Sequence, residues 1–248
     1  EDSQKFLDNM YENEEAFLTP TSFIQSTHNT IGGLIAIKLT CNAPNYTYVH
    51  NTHAFENALI EAQIAIQENE NYLIGGFDHL PEKFANLYRH LDYWKKEDGE
   101  NLLNAESIGS YNGYGASFFV LSSSKNEQSK VSIDSIDFFD SSDIETIKSN
   151  IDGDFVLYGV NGDEEDNHFY KKIKKEEISS GYYKQLCGEY PTNVGIGMAV
   201  AIEIINQQRV PSHLIWKGSI PENINSICIV EGDRQGRTSI IKLSNCSP

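Results

Sequence analysis

The chain has far fewer basic than acidic residues, with 19 Lys and Arg against 36 Asp and Glu among 248 residues. Its formal net charge is −17. Binding to nucleic acid requires clustered cations opposite phosphates, and anionic membranes attract basic segments, so this charge argues against both partners. Long hydrophobic runs are also lacking, because no apolar stretch approaches the ~18 residues that a membrane span needs. We therefore expect a cytoplasmic protein that binds neither nucleic acid nor membrane.

Cysteine is scarce and scattered, at Cys41, Cys187, Cys228 and Cys246. No pair has the Cys-x-x-Cys spacing of a zinc ribbon or thioredoxin site, and the wide spacing favours reduced thiols over a disulfide framework. We predict that each is a small buried hydrophobic residue rather than a nucleophile. Cys187 is the thiol kept as a candidate, because it lies among functional-type residues in the segment 183–192.

Metal-ligand patterns are equally sparse. His50 and His53 have an i, i+3 spacing that could bind a metal or supply a base, but the sequence offers no clear third ligand. The acidic run 163–166 lacks the glycine and terminal glutamate of a calcium loop. We therefore predict no metal and no cofactor, and a structural or solvent-facing role for both histidines.

What the chain does have is an alternation of apolar helices and short strands, which indicates an α/β fold. Helices are predicted over 1–18, 26–39, 54–67, 81–94, 142–150, 166–175 and 194–205. Strands are predicted over 46–49, 71–76, 116–121, 131–139, 154–160, 226–230 and 239–243. The order strand, turn, helix, strand over 46–76 predicts a βαβ unit in a parallel sheet, and hairpins are expected over 116–139 and 226–243.

Several stretches fall into one ordered pattern. Ala43-Pro44-Asn45-Tyr46-Thr47 is followed by Leu73-Ile74-Gly75-Gly76-Phe77-Asp78, by the Gly-rich segment 113–121 and by the last strand at 239–243. This order resembles the β-ketoacyl-acyl-carrier-protein synthases of the thiolase superfamily. The segments 157–163 and 183–192 are similar to those of short synthase-like proteins encoded with bacterial aryl-polyene and flexirubin-type pigment pathways.

The resemblance implies the thiolase fold, with two related βα halves that contain mixed sheets and buried helices. It implies one domain over 1–248, with an N-terminal half of about 1–125 and a C-terminal half of about 126–248. The family normally carries a further N-terminal strand and helix, and we expect the first half to lack that segment here.

Active members of the family use a Cys-His-His set, and the matching positions of this chain carry other residues. The cysteine position falls at Thr52, or at Tyr48 with a different gap. The first histidine position falls at Asn161 and the second at Glu189, with Lys184 of the same motif retained. The loop with the family's gating phenylalanine matches 232–237, where none remains. A carboxylate opposes oxyanion stabilisation, so condensation by this chain alone is not expected.

The resemblance therefore implies a non-catalytic subunit that joins an active ketosynthase and limits the length of the acyl chain. A heterodimer or a homodimer would form through the strand that matches Asn45, Tyr46, Thr47, Tyr48 and Val49, and the acyl carrier protein would be met indirectly. One alternative is an acyltransferase or thioesterase-like enzyme that uses Cys187, or Thr52 activated by His50 or His53. Another is a degenerate protein without a retained role.

Overall fold

The structure is a computed structural model that describes residues 2–16, 20–68, 70–96, 101–232 and 236–246. The chain divides into two compact units, Glu1–Val49 and His50–Pro248. No helix in the described ranges is both long and apolar enough to cross a membrane.

The first unit contains three short helices: α1 (Asp2–Glu12), α2 (Pro20–Ser26) and α3 (Thr30–Lys38). The sequence placed a helix end at Pro20, but Pro20 begins α2, because the fixed φ of proline suits the first helical position. The predicted packed helix over 26–39 begins only at Thr30. α3 is apolar around its whole circumference, yet none of its residues is buried. A Cβ at Gly33 would have no atom within 4 Å, whereas a Cβ at Gly32 would lie 2.9 Å from Asn45 Oδ1, so the close neighbour is a side chain of the following segment and not another helix.

The strand predicted over 46–49 is absent from the described structure, in which residues 44–50 carry neither helix nor strand. Tyr46 and Val49 are exposed there. A strand needs a hydrogen-bonded neighbour, so β-forming residues alone do not make one. The βαβ unit expected over 46–76 consequently does not form.

The second unit holds the remaining helices and all eight strands of the described chain. The helices are α4 (Ala54–Ala65), α5 (Glu82–His90), α6 (Ile144–Asn150), α7 (Glu164–Ile173) and α8 (Val194–Gln207). The strands are β1 (Asn71–Asp78), β2 (Gly115–Ser122), β3 (Val131–Asp140), β4 (Phe155–Tyr158), β5 (Ser180–Tyr182), β6 (Ile215–Lys217), β7 (Ser226–Gly232) and β8 (Arg237–Asn245). The short β5 and β6 were not predicted from the sequence.

The larger sheet is mixed, with the strand order β3-β8-β7-β4-β5-β6. β4 lies parallel to both β5 and β7, whereas the pairs β3–β8, β7–β8 and β5–β6 are antiparallel. Every residue of β4 is buried, as expected for a parallel strand that is covered on both faces. The mixed sheet and the predicted hairpin of β7 with β8 are confirmed.

β1 and β2 form a separate two-stranded antiparallel sheet. The sequence predicted instead that β2 and β3 form a hairpin, which is wrong, because β3 pairs with β8 over Val131–Asp140. Both strands were placed correctly, but a polar eight-residue connection such as 123–130 does not fix which strands pair. The long apolar face of β8 provides the better partner for β3.

Two apolar helices lie in the main core. Phe55 and Leu59 of α4 share that core with Val194 and Met198 of α8 and with inward-facing residues of the large sheet. α8 lies close to β2 because position 195 is a glycine: a Cβ at Gly195 would lie 2.1 Å from Ser117 Oγ of β2. The N-termini of α4 and α8 are thereby fixed beside the sheets, where the predicted site residues lie.

Candidate functional site

The segment Tyr183–Thr192 follows β5 as a compact loop. Gly188 N donates to Lys184 O at 2.7 Å, and Gly188 adopts a φ of +73°, which glycine tolerates best. The neighbouring segment at Gly113 is bonded to Glu189 by Gly113 N to Glu189 O at 2.9 Å. A Cβ at Gly113 would lie 1.8 Å from Cys187 O, so the two segments approach closely only because of this glycine. These backbone contacts fix the positions from which the side chains of Lys184 and Glu189 extend.

Lys184 is a buried cation between two carboxylates. Its Nζ lies 2.6 Å from Glu189 Oε2 and donates also to Glu231 Oε1 from the end of β7. The side chain is 1% exposed. Gly159, after β4, leaves the space that the Glu231 carboxylate occupies, because a Cβ there would lie 1.9 Å from Glu231 Oε2. A buried charge is tolerated only when it is paired in this way.

Asn161, in the segment that follows β4, contacts the carboxylate of Glu189. Its Nδ2 donates to Glu189 Oε2 at 3.0 Å and to Asp166 Oδ2 at 2.7 Å, while its Oδ1 accepts from Asp163 N at 3.0 Å. Asn193, the residue before α8, donates from Nδ2 to Glu189 Oε1 at 2.8 Å. The structure therefore brings together three of the four residues matched to the family's site, namely Asn161, Lys184 and Glu189.

Tyr183 completes this group. Its Oη lies 2.5 Å from Glu231 Oε2 and 2.9 Å from Asn193 Oδ1. Burial raises the pKa of Tyr183 well above its ordinary value, and the Glu231 charge adds to that effect. We call Asn161, Tyr183, Lys184, Glu189, Asn193 and Glu231 the polar cluster.

Burial controls the ionisation of the polar cluster. It raises the pKa of Glu231 to about 8 although Lys184 pulls it down. Burial alone would lower the pKa of Lys184, but the adjacent Glu189 and Glu231 raise it well above its ordinary value. Lys184 is therefore a permanent cation, and Glu231 is the carboxyl that most readily holds a proton.

The hydrogen-bond donors that could stabilise an oxyanion are already bonded to carboxylates in the polar cluster. Asn161 donates both amide hydrogens to carboxylates, and Lys184 donates to Glu189 and Glu231. Stabilisation of a thioester oxyanion requires preorganised donors directed at the reacting oxygen, whereas here a carboxylate occupies that position of the family's motif. The polar cluster is suited to holding three chain segments together.

Thr52 lies before the N-terminus of α4, in a turn organised by a histidine. The backbone N–H groups of Thr52 and His53 donate to His50 Nδ1 at 3.3 and 3.2 Å. His53 is buried, with its Nδ1 3.1 Å from Glu56 Oε1, and Ser239 Oγ donates to that same oxygen at 2.8 Å. His50 Nδ1 is thus an acceptor for the backbone, and His53 Nδ1 faces a carboxylate. These contacts agree with structural roles for the two histidines.

Cys187 is a weak nucleophile in this environment. Burial raises the pKa of its thiol to about 12, and the opposing influence of Lys184 is smaller. At neutral pH the reactive thiolate is consequently rare. The prediction that every cysteine is buried holds for Cys228 but is wrong for Cys41, which is exposed, whereas Cys187 and Cys246 are intermediate.

Within the described ranges, no three His, Cys, Asp or Glu side chains are grouped as metal ligands. The acidic run at 163–166 instead begins α7: Asp163 accepts from Glu165 N at 3.1 Å and from Asp166 N at 3.3 Å, and is itself buried. Asp163 is thus the N-cap of α7, a role that the sequence analysis did not identify. The tip of the gating-type loop, 233–235, lies outside the described residues.

Three members of the polar cluster were not predicted, namely Tyr183, Asn193 and Glu231. Glu231 had a detectable signal, since a single carboxylate ends the apolar strand Ser226–Gly232 and a buried carboxylate needs a partner. Asn193 also had one, because it immediately precedes an apolar helix.

The comparisons with known proteins agree with this fold. Residues 3–93 match the family model of the β-ketoacyl synthase N-terminal domain. No curated protein matches significantly. Among solved structures, a β-ketoacyl synthase from Burkholderia phymatum STM815 superposes with a TM-score of 0.75 at 12% identity, covering 100% of this chain and 73% of that one.

Two further similar structures contain chain length factors. The ishigamide ketosynthase/chain length factor has a TM-score of 0.72 at 12% identity, with 99% of this chain and 72% of that chain covered. The ketosynthase ApeO in complex with its chain length factor ApeC, from Xenorhabdus doucetiae, has a TM-score of 0.71 at 13% identity, with 90% and 66% covered. At these identities the structures establish the fold, and residues 3–93 carry the family's sequence pattern. The chain therefore has the thiolase fold of the ketosynthases, and its residues 3–93 match the β-ketoacyl synthase N-terminal domain.

Proposed function

We propose that this chain is a non-catalytic ketosynthase-like subunit that works with an active ketosynthase and limits the length of the acyl chain built on a carrier protein. The observation that carries the proposal is the carboxylate of Glu189, which stands at the second histidine position and accepts from Lys184, Asn161 and Asn193. A negative charge held there by three donors opposes the charge that develops on a thioester oxygen.

The proposed nucleophile position supports the same conclusion. Thr52 stands where active members of the family carry cysteine, and a hydroxyl needs an adjacent base to attack at neutral pH. The Nδ1 atoms of His50 and His53 are already engaged, by backbone N–H groups and by Glu56. An acyltransferase or thioesterase that uses Thr52 or Cys187 is therefore the less favoured function.

The surface of the second unit supports an assembly. One face of the β1–β2 sheet exposes a row of large apolar side chains: Leu73, Phe77, Phe118 and Val120. Exposed apolar patches of this kind mark interaction surfaces. For the exposed segment 45–49 we propose the role that the family resemblance implies, an edge that becomes a strand when it pairs with the other subunit.

Charge gives a further argument. Acyl carrier proteins are acidic, and a chain with a net charge of −17 repels them at long range. The basic docking surface for the carrier would then belong to the active partner. The solved complex of the ketosynthase ApeO with its chain length factor ApeC provides a precedent for pairing of the two kinds of subunit, and we extend the proposal to an aryl-polyene-type product.

Intact-mass spectrometry tests the proposal. The chain is incubated with acyl-loaded carrier protein, alone and after co-expression with an active ketosynthase from the same bacterium. We expect no acyl adduct on this chain, a stable complex, and acylation of the partner's cysteine; a partner with that cysteine changed to alanine is the control. An adduct that maps to Thr52 or Cys187 would establish the alternative enzyme, and the lack of any complex would contradict the subunit role.

A further inference from the structure

We infer that Glu231 is a neutral, protonated carboxylic acid in the folded protein at neutral pH, and that its proton completes the hydrogen bonds of the polar cluster. The inference goes beyond the proposed function, because it holds whether or not the chain has a catalytic partner. It begins from the hydrogen count around one hydroxyl group, that of Tyr183.

The Tyr183 hydroxyl has one hydrogen but lies beside two oxygen atoms, Glu231 Oε2 at 2.5 Å and Asn193 Oδ1 at 2.9 Å. The amide of Asn193 cannot be turned to supply the missing hydrogen, because its Nδ2 already donates to Glu189 Oε1 and to Tyr190 O. With an ionised Glu231, one of the two short oxygen–oxygen contacts would lack a hydrogen. A proton on Glu231 Oε2 satisfies both contacts: it is donated to Tyr183 Oη, which donates its own hydrogen to Asn193 Oδ1.

The other atoms of the cluster agree with this assignment. Glu231 Oε1, the carbonyl oxygen of the neutral acid, accepts from Lys184 Nζ. The two oxygens of Glu189 accept from Lys184, Asn161 and Asn193, so none of these three donors needs Glu231 Oε2 as its acceptor. The hydrogen between Tyr183 Oη and Glu231 Oε2 is therefore supplied by Glu231 itself.

Two neighbouring titratable groups, Tyr170 and Cys187, add no charge beside Glu231. Tyr170 of α7 contacts Gly232, and its pKa is raised well above the ordinary value by burial and by Glu231, so it stays neutral. The Cys187 thiol is likewise neutral. Among the described residues, the charged or titratable groups near Glu231 come from three elements. The loop 183–192 contributes Tyr183, Lys184, Cys187 and Glu189, and α7 contributes Asp166 and Tyr170. Glu56 of α4 accepts a hydrogen bond from Ser239, which is opposite Glu231 on β8. Burial, which raises the pKa of Glu231 to about 8, acts in the same direction.

The proton makes folding dependent on pH. The unfolded chain releases it near pH 4.5, whereas the folded chain keeps it up to about pH 8. The contribution of Glu231 to stability is therefore fully present below pH 4.5 and is lost as the pH rises to about 8. Over that range the folding equilibrium constant falls by about tenfold per pH unit relative to a variant that lacks the titration.

Denaturant unfolding of wild type and Glu231→Gln between pH 5 and 9.5 measures this effect. A glutamine can donate from Nε2 to Tyr183 Oη and accept from Lys184 at Oε1, so it copies the neutral acid. We expect the stability of Glu231→Gln relative to wild type to rise steadily up to about pH 8 and then to level off. The control is Glu222→Gln, a substitution at an exposed glutamate, which should show no such trend. A difference that does not change with pH would overturn the inference.

Infrared spectroscopy of the wild-type protein gives an independent test, which does not depend on whether the variant folds. With ¹³C-labelled glutamate, a protonated carboxyl band that shifts with the label should be present at pH 6.5 and should disappear as the pH is raised past about 8. Where Glu231→Gln folds, it should lack the band. Absence of any such band from folded wild-type protein at pH 6.5 would show that Glu231 is ionised.

Discussion

Glu231 and Ser239 are directly opposite each other across the antiparallel pair of β7 and β8. Directly opposed residues on such a pair lie on one face of the sheet, about 5 Å apart. Glu231 contacts Lys184 in the loop, and Ser239 donates to Glu56, which faces His53 at the start of α4. A line of buried polar groups thus connects the loop 183–192 with the turn that contains Thr52.

Removal of Lys184 from this line of buried polar groups should lower the free energy of unfolding. Lys184→Met removes the donor that Glu189 shares with the buried Glu231, and we expect a loss of about 1–3 kcal/mol in the free energy of unfolding at pH 7. Urea denaturation followed by tryptophan fluorescence measures it. Lys172→Met, on the exposed side of α7, is the matched control and should change stability by less than about 0.5 kcal/mol. Equal effects of the two changes would contradict the buried ion pair.

Gly159 should tolerate no side chain while Glu231 is present. A Cβ there would lie 1.9 Å from Glu231 Oε2, so Gly159→Ala should lower the free energy of unfolding by about 1–3 kcal/mol. In a Glu231→Ala background the colliding carboxylate is gone, and the cost of the same change should fall by more than half. The double-mutant cycle measures this coupling, and strictly additive costs would show that the two residues do not meet.

The cysteines should differ in reactivity. Cys41 is exposed, whereas burial raises the pKa of Cys187 to about 12 and Cys228 is fully buried. With iodoacetamide at pH 8 we expect Cys41 to be alkylated at least tenfold faster than Cys187 or Cys228, as followed by peptide mass spectrometry. Unfolding in urea should remove the difference. Fast labelling of Cys187 in the folded protein would revive its role as a nucleophile.

The apolar face of the β1–β2 sheet should make the isolated chain self-associate. Val120 is 67% exposed at the centre of that face, and Val120→Lys should lower the weight-average mass seen in sedimentation velocity without a change in circular dichroism. Glu127→Lys adds the same side chain in the polar connection 123–130 and is the control. If both changes act alike, the association is governed by net charge instead.

Much of the architecture could be predicted because its signals are local. α4 and α8 are long apolar segments, and β4, β7 and β8 are short runs of β-forming residues, so their positions follow from the sequence pattern. Pairing is not local: β2 and β3 are neighbours in the chain, yet β3 pairs with a strand about a hundred residues later. The segment 46–49 shows the complementary case, because its strand-forming residues adopt neither helix nor strand in the described structure.

The residues of the candidate site also differ in how far the sequence could predict them. Asn161, Lys184 and Glu189 could be found because each falls in a motif whose spacing resembles that of a known family. Glu231 could be suspected as a buried carboxylate but its partner could not be predicted, since Lys184 lies 47 residues away in sequence and meets it only when β7 has docked beside β4. The partners of a buried charge are chosen by the sheet order, which the sequence pattern leaves open.

The three donors that converge on Glu189 also limit how this site could evolve. A single change of Glu189 to histidine would leave the amides of Asn161 and Asn193 without their acceptor and would leave Lys184 with only Glu231. Each such step towards a histidine pair passes through a less stable protein, because buried polar groups lose their partners before new ones exist. Substitutions of residues in this region should therefore affect stability non-additively, because they share hydrogen-bond partners.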